Sequence, residues 1–224
     1  MIAATVACAL ACAALMIAEV KHWRTARAVA KVIASLSFLI AGILAWRGCG
    51  CEGVAARFAL LIVVGQAFGV VGDIALLGNS TAGFLAGLGA FLVGHVAYVI
   101  GIVAVVKHSP ATPAWALVAL PVVAGALALR WLWRHLDRVM TGPVMAYVVT
   151  IVAMVGAALI AATDNAMSCT SRTLLVTAAV LFFVSDLAVA RERFVVATVA
   201  NHMWGAPTYF AAQLLFAWSI AAAT

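Results

Sequence analysis

From Phe58 to Val106 the chain carries one formal charge, the carboxylate of Asp73. A stretch this long and this apolar has few ways to fold. In water it would expose more hydrocarbon than a small domain can hide. In lipid it must pair every backbone N–H and C=O internally, which leaves α-helices or a closed β-barrel. The rest of the chain decides between the two. Of its 224 residues 67% are hydrophobic and 9% charged, with a mean hydropathy of +1.20, where a soluble domain has roughly half and a quarter. The apolar runs are long and rich in Ala, Leu, Val and Gly, and they do not alternate as barrel strands of about ten residues do. The expected fold is therefore all-α, a polytopic membrane helix bundle. The formal charge of +6 does not make this a nucleic-acid binder, because the basic residues sit in the connections, where they report topology.

Eight spans are expected, near 2–19, 29–46, 57–77, 84–106, 113–131, 142–162, 172–190 and 202–223. Their connections are short, so residues 1–224 read as a single integral membrane domain. The first twenty residues lack a basic leading segment and are taken as a retained first helix rather than a signal peptide. Lys and Arg set the orientation. The connections after spans 1, 3, 5 and 7, with their flanks, hold Lys21, Arg24, Arg27, Lys31, Arg130, Arg134, Arg138, Arg191 and Arg193; those after spans 2, 4 and 6 hold Arg47, Arg57, Lys107 and Arg172. Nine against four places the first set in the cytoplasm and both termini on the other side. A bacterial inner membrane is the expected location.

A second embedded acid answers the first. "LFFVSDLAVA" puts Asp186 late in span 7, and 186 − 73 = 113, close to half the chain. Spans 3 and 7 hold the same place in two four-helix halves and run the same way, so the two carboxyls reach similar depth near the cytoplasmic side. This suggests a parallel 4+4 internal repeat. The other acids, Glu19, Glu52, Asp137, Asp164 and Glu192, fall in connections or at span ends. An Asp within a span costs roughly 2.5–3.5 kcal/mol at the helix centre and less near an end. Each could simply mark where its helix meets water; two at matched positions favour a shared polar cavity.

Span 4 carries Phe84, Phe91, His95 and Tyr98 on one stripe. Span 8 opens with Asn201 and His202 and continues through "PTYFAAQ", where Tyr209 and Gln213 share a face. These polar residues are either interhelical glue or the lining of the cavity. Gly65 and Gly69, and Gly83 and Gly87, have the spacing that lets helix backbones approach closely. Among the cysteines, Cys8 and Cys12 read as apolar filler, and Cys169 is placed to form a disulfide with Cys49 or Cys51. There is no GxSxG, HExxH or P-loop, and no persuasive metal set.

Taken together, "GVVGDIALL", "FLAGLGAFLVGHVAYVIG", "GPVMAYVVTIVAM", "LFFVSDLAVARERF" and "PTYFAAQLLFAWS" resemble the YhhN-like lysoplasmalogenase family of integral membrane proteins over about residues 30–220. The resemblance implies an eight-helix membrane hydrolase that cleaves the sn-1 vinyl ether of a lysoplasmalogen into a fatty aldehyde and a glycerophospho-alcohol. The acids proposed as essential in that family match Asp73 and Asp186.

The chemistry suits the residues. A vinyl ether yields to acid: protonation of the outer alkene carbon gives an oxocarbenium ion, water adds, and the hemiacetal collapses. One carboxyl, kept protonated by its apolar surroundings and its neighbour, is the acid; the other, ionised, stabilises the cation and orients water. No cofactor or metal is called for. His95, Tyr98, Ser185, Tyr209 and Gln213 are expected to hold the lipid substrate and the water, while Arg191 and Arg193 attract its phosphate. If Asp186 pairs with Ser185 or Arg191, Asp186 is the ionised member. Two other readings use the same acids: a proton-coupled transporter with an acid relay, and a non-catalytic lipid-binding protein.

Overall fold

The computed structural model describes residues 1–78, 80–107, 116–165 and 167–223. Among these residues it is all-helical, with eight α-helices: α1 Ile2–Val20, α2 Arg24–Gly48, α3 Gly53–Ala75, α4 Thr81–Val105, α5 Ala119–Leu132, α6 Arg138–Ala162, α7 Cys169–Ala190 and α8 Val199–Ala221. Six of them, α1–α4, α6 and α7, are long and apolar enough to cross a membrane. The chain is an integral membrane protein built as a polytopic helix bundle.

The two helices outside that set differ from expectation for separate reasons. The described part of α5 is short, and residues 113–115 of the span expected there lie outside the described residues. By contrast α8 is long enough, but Asn201, His202, Thr208, Tyr209 and Gln213 dilute its apolarity. It tolerates them because it is an interior helix, packed against α1, α2, α3 and α7. At the other extreme α2 begins at Arg24, earlier than the expected start near residue 29, so Arg24 and Arg27 are helical as well as Lys31.

Side-chain caps close several helix starts. Ser80 accepts from the Gly83 N–H, Asp137 from Met140 and Ser168 from Ser171, each satisfying a backbone donor that the helix leaves free. Since lipid is as apolar as leucine, the helices are held together by close packing and interhelical hydrogen bonds. One close approach is α3 against α4. A Cβ added to Gly65 would lie 2.2 Å from the Tyr98 ring, so only glycine leaves room for this buried tyrosine. Gly69 turns instead toward α8 and makes room for Gln213 and Tyr209. Outside the bundle, Ile33, Ile40, Leu44, Val71, Val96, Ile100 and Val103 are exposed, as lipid-facing residues should be.

The packing repeats with a step of four helices. The antiparallel neighbours α3–α4 correspond to α7–α8, and α2–α3 to α6–α7. Between the halves, α4 lies on α6 and α8 lies on α2. Among α2–α4 and α6–α8 these pairings correspond under a step of four helices, as in a parallel internal repeat.

The expected disulfide to Cys169 is not formed. Cys49 bonds Cys51 within the α2–α3 connection, and Cys169 is free and exposed. Gly50, at φ 57°, turns the chain left-handed between the two cysteines, so the local backbone alone brings them together.

Candidate active site

A cavity of about 470 Å³ opens near the end of the bundle that carries the α1–α2, α3–α4 and α7–α8 connections, and both Asp73 and Asp186 line it. Asp73 stands in the last turn of α3, and Asp186 lies one turn before the end of α7. The helix then continues as a short π-helical turn, Arg191–Val195, closed by the Val196 N–H on the Arg191 carbonyl. Apolar residues of α4, α5, α6 and α8 complete the walls, among them Phe84, Phe91, Leu132, Val148 and Phe210.

The surroundings of the two acids are built alike and filled differently. The Asp73 side chain is 3% exposed. Its Oδ2 accepts the Ser35 hydroxyl at 2.6 Å and the Tyr209 hydroxyl at 2.8 Å. Its Oδ1 lies 3.2 Å from Lys31 Nζ. Lys31 and Ser35 are four apart on α2 and so point the same way. Three donors, one of them a cation, describe a site made for an ionised carboxylate.

Asp186 is 19% exposed, toward the cavity. Its Oδ2 accepts the Tyr147 hydroxyl at 2.8 Å, and His95 Nε2 stands 4.0 Å away. Among the described residues no Lys or Arg reaches it. Neither expected partner pairs with it: Ser185 donates to the Phe182 carbonyl, and the Arg191 guanidinium donates to Asn201. The condition that would have made Asp186 the ionised member is therefore not met.

These partners obey the half-chain step. Ser35 on α2 serves Asp73 as Tyr147 on α6 serves Asp186, and 147 − 35 = 112. Tyr209 on α8 reaches across to Asp73 as His95 on α4 reaches across to Asp186, and 209 − 95 = 114. The acids themselves differ by 186 − 73 = 113. Lys31 has no such counterpart: the Ser35–Tyr147 step of 112 carries it to Pro143 on the Arg138–Ala162 helix, and the acids' own step of 113 to Val144.

Of the residues expected to hold a ligand, Ser185 and Tyr209 line the cavity; His95, Tyr98 and Gln213 do not. They lie deeper, where His95 and Tyr98 are 1% exposed and Gln213 is fully buried. Gln213 and Tyr98 support the wall instead. Tyr98 donates to Gln213 Oε1 at 2.6 Å, Gln213 Nε2 donates to the Tyr209 hydroxyl at 3.3 Å, and Tyr209 donates to Asp73. Gln66 Nε2 donates to the Gln213 carbonyl at 2.8 Å, anchoring the same turn of α8.

At the mouth, Arg27, Lys31, Glu192, Arg193 and His202 line the opening. Arg193 stacks over Phe84 at 4.7 Å and donates to Thr81, while Arg191, absent from the lining, is engaged with Asn201. Of the two arginines expected to meet a phosphate, only Arg193 faces the cavity.

Sequence reasoning missed Lys31, Ser35 and Tyr147. Lys31 passed as a topology marker and Tyr147 as part of an apolar span. For Ser35 and Tyr147 a signal was available, since they stand 112 residues apart, close to the separation of the acids; for Lys31 there was none.

The profile of the YhhN family matches residues 26–220. Two curated relatives, each described as a lysoplasmalogenase, come from Mycobacterium bovis (strain ATCC BAA-935 / AF2122/97) and Mycobacterium tuberculosis (strain CDC 1551 / Oshkosh). Each is 32% identical over 139 residues, covering 60% of this chain and 50% of the relative. The chain thus spans about half the length of the curated relatives it matches. No solved structure matches it.

Proposed function

The chain belongs to the YhhN family, and from that premise we propose that it is a lysoplasmalogenase-like membrane hydrolase working by acid catalysis with Asp186 and Asp73. The substrate is a lysophospholipid-like lipid with an sn-1 vinyl ether; the products are a fatty aldehyde and a glycerophospho-alcohol. The observation that carries the reading is the contrast between two carboxyls on one cavity, one held by a cation and two hydroxyls, the other without a cation.

Asp186 is the acid. Its proton goes to the outer alkene carbon, the π pair forms the new C–H bond, and the positive charge settles on C1 and the ether oxygen. Asp73, ionised beside Lys31, faces the developing cation; a fixed negative charge in a site screened from water stabilises it strongly. Water adds to C1 and returns a proton to Asp186. The hemiacetal then collapses, its hydroxyl proton passing through the same carboxyl to the departing glycerol oxygen. Neither a metal nor a covalent enzyme intermediate is needed. The alkyl chain lies along Phe84, Phe91, Leu132 and Val148, with the headgroup phosphate at the mouth near Arg27 and Arg193.

The chain acts as one membrane unit, in a bacterial inner membrane with both termini outside and the cavity mouth toward the cytoplasm. The excess of Lys and Arg in the connections at that end supports this orientation. The test is to supply purified protein in detergent with lysoplasmalogen and measure aldehyde. Release of aldehyde that is lost in D186N and in D73N, with helicity and thermal unfolding unchanged, supports the reading. Proton flux into liposomes without aldehyde would establish the carrier in its place.

A further inference from the structure

His95 is 1% exposed, and its Nε2 has no hydrogen-bond partner. Leaving a buried imidazole nitrogen unsatisfied is costly, and the ring cannot simply have drifted there. It is clamped by Phe182 at 4.5 Å and Tyr147 at 5.2 Å between ring centres. Nδ1 lies 2.7 Å from the Phe91 carbonyl, an oxygen that only accepts, so the Nδ1 position carries the proton. In the neutral ring Nε2 then presents a bare lone pair. What it faces, at 4.0 Å, is Oδ2 of Asp186.

Two acceptors aimed at one another across a buried gap make sense when a proton lies between them. We propose that Asp186 rests as a carboxylic acid whose O–H is accepted by His95 Nε2, which makes His95 a positioning residue for the acid. This hydrogen bond requires the carboxyl and the ring to close from 4.0 Å to about 3 Å. This rests on the hydrolase reading only for its kinetic consequence; the protonation itself is independent of any substrate. Other groups near Asp186 do not compete. From α6 the Tyr147 hydroxyl donates to it; α8 meets this turn of α7 with Gly205 against Ala188; farther along its own chain Arg191 is engaged with Asn201, and Glu192 with Asn201 and the Thr198 N–H. Lys31, the lysine that lines this cavity, is paired with Asp73.

The half-chain correspondence sharpens the point. Where α8 offers Asp73 a hydroxyl donor, Tyr209, α4 offers Asp186 an acceptor. A donor at that position favours the carboxylate, and an acceptor favours the acid. The substitution of one ring for the other thus divides the labour between two otherwise similar sites.

Infrared spectroscopy of the unliganded protein at neutral pH tests this without turnover. The expected result is a protonated-carboxyl C=O band that disappears in D186N, remains in D73N, and moves to higher frequency in H95F as the O–H loses its acceptor. Histidine-labelled ¹⁵N NMR of the wild-type protein is expected to show His95 singly protonated, on Nδ1; the resonance is assigned by its loss in H95Q. A band that survives D186N, a band unmoved in H95F, or a doubly protonated His95 would each overturn the proposal. If H95F does not fold, H95Q and the wild-type NMR still decide it. In turnover, H95F is expected to lower kcat roughly 10- to 100-fold with KM little changed, part of the full value of a positioned acid, and H95Q to recover some of that. If aldehyde is never released while the spectra hold, the hydrolase reading fails and the protonated pair stands.

Discussion

The first and second halves of this bundle place an aspartate near the end of corresponding helices, α3 and α7, and then surround it differently. In the first half α2 brings Lys31 and Ser35 and α8 brings Tyr209, so Asp73 is surrounded by donors. In the second half α6 brings Tyr147 alone, α4 brings His95, and the position equivalent to Lys31 falls at Pro143 or Val144, neither of which has a charge to give. A pair of identical acids in identical surroundings would have no reason to divide into donor and stabiliser. A scaffold that builds two similar pockets, and changes the contents of one, separates their protonation states with few substitutions.

That contrast can be broken most severely at the acids. On the proposed mechanism D186N takes away the proton donor and D73N the fixed negative charge, so each is expected to lower kcat for aldehyde release by roughly 10²–10⁴-fold, the range for a positioned acid or a preorganised electrostatic partner. Equal residual activity in both, at wild-type level, would dissolve the contrast altogether.

Lys31→Met is expected to come next. It leaves Asp73 buried and unpaired, which costs about 2–3 kcal/mol of stability; the usual loss of roughly 3–5 for a broken buried pair is reduced because Lys31 is 22% exposed. Chemical or thermal unfolding measures this. Adding D73N to K31M should return part of the loss, since the stranded charge is then gone. No rescue would mean that the ion pair is not what Lys31 contributes.

The smallest effects should separate the two tyrosines. Tyr209→Phe removes a hydroxyl from a carboxylate and is expected to cost about 1.5–3 kcal/mol in unfolding experiments. Tyr147→Phe removes one from a carboxyl read here as protonated, so about 0.5–1.5 kcal/mol is expected. The reverse ranking would indicate that Asp186 is the charged member.

Much of this molecule was legible before any coordinates. Apolar run length determined an all-helical membrane bundle, because lipid offers backbone groups no other partner. The isolation of Asp73 and Asp186 marked them, because a carboxyl in a span is costly enough to stand out, and their separation of 113 residues revealed that they occupy matched positions. Where ordinary residues did the work, the sequence was silent. Lys31 looks like any positive-inside lysine, Tyr147 like any interfacial tyrosine, and nothing local says that the hydroxyl of Ser35 turns inward or that Tyr98 and Gln213 brace a wall instead of lining it. Those roles depend on helix rotation and on contacts between residues such as Tyr209 and Asp73, 136 positions apart. The step along the chain therefore determined which helices correspond. Only the tertiary structure decided which acid receives the cation, because an ion pair between α2 and α3 exists by virtue of how those two helices face each other.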